Sequence, residues 1–288
     1  MISKIKNKMP KWCEDKSKDI QLLMSDDTDA LLCYIIQHYY FNRELHYFVD
    51  MSSERAYKGQ YGKRYGKQYF YADNKANWNK SNILALDTNL HNFKSWDNHI
   101  VKINKYDEVN KNSANLNIAL DICKDNYKEK ACVSSIITML SYYDFDLKQW
   151  SKEQLLVLCA IDSLYYPFTV NYFIDRATYN LKLLEYDYLK DFILTNMQEI
   201  KNIEKLIKIK EGHITVNQDG HLTTNINLQE LSKIFNINVE LPNNTFTLKK
   251  TFKSQIFETN TYNTIKSFDN TVFNIALTYG KSGVVSFI

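Results

Sequence analysis

Glycine is scarce in this chain, with seven residues in 288. No G-x-G-x-x-G, Walker A or G-x-S-x-G sequence occurs. These absences argue against a glycine-loop nucleotide site and against a nucleophile-elbow hydrolase. Cysteine is limited to Cys13, Cys33, Cys123, Cys132 and Cys159, an odd number with no C-x-x-C pair. That usage suits reduced, mostly buried thiols in a cytosolic protein. No apolar run approaches the roughly 18 residues that span a bilayer. The opening MISKIKNKMPKW has no apolar core of a signal peptide. The expectation is a cytoplasmic protein without a membrane partner. Charge of one sign is also lacking: 36 basic against 33 acidic residues leave +3. So small an excess does not by itself imply a polyanionic partner.

What is present is ordinary globular composition, 44% hydrophobic and 24% charged, enough to bury a real core. The length suits one large domain or two. Aromatics reach 14%, with 21 Tyr. The abundance of Lys, Asn, Ile and Tyr points to an AT-rich genome, that of a low-GC bacterium or its phage.

Residues 18–24 read as a short buried strand, and the acids at 26–29 follow at once. Residues 30–40 are apolar at helical spacing, with Asp27 or Thr28 as cap. ELHYFVD at 44–50 alternates as a second strand. The polar, Tyr-rich stretch 53–80 reads as a long loop, NILALD at 82–87 as a third strand, and 98–103 as a fourth. From 114 the pattern turns helical, in ANLNIALDICKD, KACVSSIITMLSYY and SKEQLLVLCAIDSLYY, the last opened by a Ser151–Gln154 capping box. Residues 170–210 read as largely helical. Beyond Gly212 come a hairpin around Asp219-Gly220, a short helix in NLQELSKIF, and strands in TFTLKKTF, VFNIALT and VVSFI. Strands that alternate with helices and end in acids predict an α/β fold, a mainly parallel sheet flanked by helices. The texture break near 195–212 divides a first domain, 1–195, from a smaller α+β domain, 196–288.

In open α/β sheets, sites form at the carboxyl ends of strands. Asp27 and Asp29 follow the first strand, Asp87 ends the third, and Asp97 and His99 come shortly after. Asp162 sits in the apolar LLVLCAID, where a buried acid is costly without a partner. Several carboxylates and an imidazole at element ends are the donors that a pair of hard divalent cations needs. Two such ions about 3.5–4 Å apart clamp a phosphoryl group and activate water.

The motifs resemble those of the DHH phosphoesterase superfamily. S-D-D-T-D-A at 25–30 resembles its first motif, A-L-D at 85–87 its second, D-N-H at 97–99 the D-H-H that names it, and A-I-D-S at 160–163 its fourth. The fourth follows a K-x-x-x-S-S type helix, here Lys130 to Ser135. The order agrees over residues 18–165. The resemblance implies a metal-binding set of Asp27, Asp29, Asp87, Asp97 and Asp162, with two Mn²⁺ or Mg²⁺ ions. It also implies catalytic positions at Asn98 and His99 and substrate contacts from Ser134 and Ser135. Superfamily members include single-strand exonucleases, nanoRNases, cyclic-dinucleotide phosphodiesterases and type II pyrophosphatases, and a C-terminal domain commonly holds their substrate across a cleft.

Three positions depart from the pattern. Leu23 stands where some members have a metal-binding His, and Asn98 where the first His of D-H-H ligates metal. The glycine-rich motif of the C-terminal domain is missing, with Gly280-Lys281-Ser282-Gly283 at best a remnant. Either His99 or His91 stands in for the lost ligands, or catalysis has been lost. His38 and His46 read as structural or surface residues, and His213 and His221 as residues flanking a hairpin. Tyr65, Lys63, Arg64 and Lys67 lie in a repeat, YKGQYGKRYGKQYFY, that mixes rings for base stacking with cations for phosphates. Two functions follow. One is a two-metal phosphodiesterase acting on single-stranded nucleic acid or a short or cyclic nucleotide. The other is a catalytically silent scaffold of the same fold, of phage origin, that binds nucleotide, nucleic acid or protein. Self-association into a homodimer stays open.

Overall fold

The structure is a computed structural model that describes residues 1–58, 64–90, 92–259, 272–279 and 282–287. Among the described residues it is an α/β protein with a nine-stranded sheet and a separate two-stranded ribbon. The chain opens with α1 (Ser3–Lys6), then β1 (Gln21–Met24), α2 (Thr28–Phe41) and β2 (Leu45–Lys58). Next come β3 (Arg64–Ala72), β4 (Ile83–Leu86), β5 (Lys94–Trp96) and β6 (Ser113–Ala114). The helical stretch comprises α3 (Leu116–Ala119), α4 (Ser135–Tyr142), α5 (Lys152–Ala160), α6 (Asn171–Leu183) and α7 (Leu189–Ile207). The ribbon β7 (Ile214–Val216) and β8 (Leu222–Thr224), helix α8 (Leu228–Phe235) and strands β9 (Thr247–Glu258), β10 (Val272–Tyr279) and β11 (Ser282–Phe287) complete it.

The sheet is mixed, which corrects the expectation of a mainly parallel one. Its order is β10-β11-β9-β3-β2-β1-β4-β5-β6. Strands β2, β1, β4, β5 and β6 run parallel, whereas β3, β9, β11 and β10 join antiparallel. The difference arises in residues 53–80, expected to be a loop. Much of that stretch extends β2 and forms β3, and strands joined by a short connection must pair antiparallel. The three C-terminal strands then continue the sheet from β3. The expected boundary at 195 falls inside α7, beside Asn196, whose φ of −111° departs from helix.

Burial in β1 alternates between faces, as strand geometry requires. Leu22 and Met24, with Leu84, Leu86 and Phe48, join the cluster that holds buried residues of all eight helices. Leu23, with Tyr47, Val49, Ile83 and Ala85, belongs to a second cluster that includes Phe70, Phe252 and Phe273 and no helical residue. The helices therefore cover one face. The antiparallel half curls over the other, and β10 bridges back to Leu90 and Ile100, just beyond β4 and β5.

Several expected elements are shorter or displaced, among them the helix expected in KACVSSIITMLSYY, which forms only as α4. The strand expected at 98–103 is replaced by β5, which ends at Trp96. Beyond it the Asp97 carboxylate, accepting from the His99 amide and the Asn115 side chain, takes over from ladder bonds. The helix expected from 114 reduces to α3, and the chain turns away at Asp121, where φ is 58°. All five cysteines are free. Among the described residues no helix is long and apolar enough to cross a membrane.

Candidate metal centre

The parallel strands lie in the order second, first, third, fourth, fifth. The winding direction therefore reverses between β1 and β4, and a crevice opens at the carboxyl ends of such a pair. Both ends carry acids. Asp27 caps α2, accepting from the Ala30 amide at 3.0 Å. Asp29, in the first turn of the same helix, is buried and faces α4. Its two oxygens accept from the amides of Ser135 at 2.6 Å and Ile136 at 2.8 Å. It thus meets the positive end of α4, as the helix dipole favours. Asp87 follows β4 at φ 53°, a left-handed conformation that Asp tolerates. The turn is pinned by its own amide to Trp96 O and by Ser25 Oγ to Asp87 O. The Asp87 carboxylate accepts from Ser135 Oγ at 2.7 Å.

Asp162 comes from the far side. Helix α5 ends at Ala160, and Asp162 adopts φ 49° and ψ 25°, so it is an exposed turn residue and not a buried helical acid. The Asn98 side chain donates to its carboxylate. One carboxylate oxygen from each of Asp29, Asp87 and Asp162 lies within 4.8 Å of the others, an arrangement that fits a metal ion.

The electrostatics agree. Burial pushes the Asp29 carboxyl well up, and Asp87, Asp162 and Asp27 add to it. Burial, then Asp87 and Asp162, raise Asp27 likewise. Burial and Asp162 lift Asp87 to about 6. Carboxylates that raise one another are relieved when a cation arrives.

Asp97 is separate from this group. Fully buried, it accepts from His99 Nδ1 at 2.7 Å and Asn115 Nδ2 at 2.7 Å. Burial opposes charge on His99, but Asp97, with Asp87 behind it, raises the imidazole to about 9. His99 lines a cavity of about 210 Å³ with Asp27, Asp87 and Asn274. Asn98 positions Asp162 and accepts Asn117 through its carbonyl. Ser134 caps α4, and both Ser134 and Ser135 are fully buried.

Other sequence candidates lie elsewhere. Lys63 and His91 fall outside the described residues. Arg64 and Tyr65 of β3 pair through their backbones with Ile256 and Gln255 on β9, and Lys67 is exposed on β3. Sequence reasoning missed the second wall of the cleft. A cavity of about 350 Å³ brings Asp27, Asp29 and Asp162 together with Glu204, Lys210 and His213. This wall is tied down at both ends, by Thr28 Oγ1 to Ile209 O and by Ile214 N to Asp26 O. Gly212 precedes His213, and a Cβ there would lie 2.4 Å from Ile226 Cγ1.

Comparison with protein-family models, curated proteins and solved structures returns no match.

Proposed function

We propose that the protein is a metal-dependent phosphodiesterase of the DHH type, acting on single-stranded nucleic acid or on short or cyclic nucleotides. The observation that carries the reading is the convergence of Asp29, Asp87 and Asp162 within 4.8 Å at the sheet's switch point. Those three residues fit one divalent cation, and Asp27, which lines the cleft with Asp29 and Asp162, extends the set toward a second. Oxygen-only donors favour Mn²⁺ or Mg²⁺. When bound, such ions supply Lewis-acid polarisation of a phosphoryl oxygen.

The chain's own residues do the rest. Ser135 and the first amides of α4 hold Asp87 and Asp29 in place. Asp97 orients His99 through Nδ1 and keeps it protonated at neutral pH, leaving Nε2 to give its proton to the leaving oxygen. Lys210 and His213, across the cleft, meet phosphate oxygens. Lys67, exposed on β3, extends contact along a strand.

One observation favours the silent-scaffold reading: the Asn98 amide occupies an oxygen of Asp162. The two readings part in one experiment. The purified chain is incubated with Mn²⁺ and a panel of oligonucleotides, cyclic dinucleotides and phosphomonoesters. Turnover that Asp87→Asn abolishes supports the phosphodiesterase. Binding without turnover on any substrate supports the scaffold.

A further inference from the structure

A cavity of about 770 Å³, larger than either cavity at the carboxylates, lies at the other end of β1. Its position is fixed through Gln21, the first residue of that strand. The Gln21 side chain accepts from the Asn77 amide at 3.0 Å and from Tyr47 Oη at 3.2 Å, and donates to Lys75 O. The walls are aromatic: Tyr47, Phe70, Trp78, Phe93, Phe252 and Phe273. Trp78 meets Tyr47, Phe70 and Phe93 in edge contacts, with centroids 5.7, 5.5 and 5.7 Å away. Edge contacts from three sides hold the indole in place, yet it stays 53% exposed. Opposite it, Phe252 and Phe273 stack at 3.8 Å.

The rim is cationic. Lys80, Lys249 and Lys250 border the cavity, and the ammonium groups of Lys80 and Lys250 sit over the rings of Phe93 and Phe252. One acid lines it, Asp73, and both of its oxygens are engaged. Oδ1 accepts from the Lys75 amide, and Oδ2 from His46 Nδ1 and Asn244 Nδ2. Asn74 and Asn92 add amides at the edge. An apolar ligand would need the rings but not the lysines, and a bare anion the reverse. Rings that stack, amides that hydrogen-bond and ammonium groups that take negative charge together match a heteroaromatic base bearing a phosphate.

We propose that this cavity is a second ligand site, taking a nucleotide, with the base against Trp78 and the phosphate at Lys249 and Lys250. It stands independently of the carboxylate site. A free mononucleotide and one unit of a single strand share this chemistry, and the experiment separates them.

The test is calorimetric titration of the full chain with adenosine 5′-monophosphate in EDTA, so that no divalent ion serves the carboxylates. Saturable binding is expected. Inorganic phosphate, which lacks the base, should bind at least about fivefold more weakly, the lower end of what one stacking contact contributes. Adenosine, which lacks the phosphate, should bind at least about tenfold more weakly, the lower end for a hydrogen bond to a charged group. Lys249→Ala with Lys250→Ala should weaken the monophosphate to the level of adenosine. Trp78→Ala should weaken it at least about fivefold, and Trp78→Phe, which keeps a ring, should restore most of it. Circular dichroism checks that each variant is folded. If oligothymidylate displaces the monophosphate at lower concentration than thymidine monophosphate does, the site reads a strand, and if not, a free nucleotide. Absence of saturable binding overturns the proposal. So does binding that the Trp78 and lysine changes leave unaltered, or a fatty acid that binds where the nucleotide does not.

Discussion

Ser135 serves two acids at once, giving its amide to Asp29 at 2.6 Å and its hydroxyl to Asp87 at 2.7 Å. One residue at the start of α4 thereby ties the carboxylate of α2 to the one that follows β4. The Ser135→Ala variant keeps the amide and loses the hydroxyl. Leaving a buried carboxylate short of a donor costs about 1–3 kcal/mol. Partners that orient ligands contribute about 10–100-fold in metal affinity. The variant should melt lower and require about tenfold or more Mn²⁺ for the same stabilisation, read from melting curves across a metal titration.

Asp87→Asn should stabilise the metal-free chain at neutral pH. Burial and Asp162 raise this carboxyl from 3.8 to about 6 in the folded state. A raised acid favours folding fully below its unfolded pKa, and that contribution disappears as pH climbs through about 4 to 6. At pH 7 the ionised form therefore costs on the order of 1–3 kcal/mol, which a neutral amide avoids. Asn also accepts the left-handed backbone and the Ser135 hydroxyl. Chemical denaturation in EDTA at pH 4 and 7 checks this. A variant that unfolds at pH 7 shows that the carboxylate is a structural turn residue.

His99 should titrate near 9 in the metal-free protein, because Asp97 and Asp87 outweigh burial. Raised above its ordinary value of 6.5, it adds stability that is complete below that pH and is lost as pH rises through about 9. Asp97→Asn should bring the imidazole midpoint down, as followed by the NMR shift of its ring proton. A midpoint unchanged by that substitution would break the link between the two residues.

Lys210→Ala and His213→Ala should each raise KM about tenfold or more while melting stays within about 1 kcal/mol of wild type. Both line the cleft opposite the carboxylates. A fall in stability with unchanged kinetics would make them packing residues.

The acids were legible because their signal is local. Asp27 and Asp29 follow a short apolar run that reads as a buried strand, and Asp87 follows another, and both runs form strands. The Ser151–Gln154 capping box was equally local, and it forms as read. The antiparallel half was hidden, since residues 53–80 are mostly polar and Tyr-rich, and the alternation that buries Phe70 and Ala72 is too short to mark a strand among them. Their pairing with β9 joins residues far apart in sequence, and no single-sequence pattern encodes that. Lys210 and His213 were missed for the same reason: their nearness to Asp27 depends on two tertiary hydrogen bonds, at Ile209 and Ile214. Asp97 shows the converse. Its motif position suggested a metal ligand, whereas its oxygens are given to His99 and Asn115.

The most direct test of the carboxylate site is the melting temperature of the wild-type chain and of Asp87→Asn across a Mn²⁺ titration. Binding to the folded state alone stabilises by about 2.7 kcal/mol at a hundredfold excess over Kd. A clear rise for wild type, absent in the variant, is the predicted result. A wild-type melting temperature unmoved by millimolar Mn²⁺ contradicts the assignment of Asp29, Asp87 and Asp162 as a metal centre.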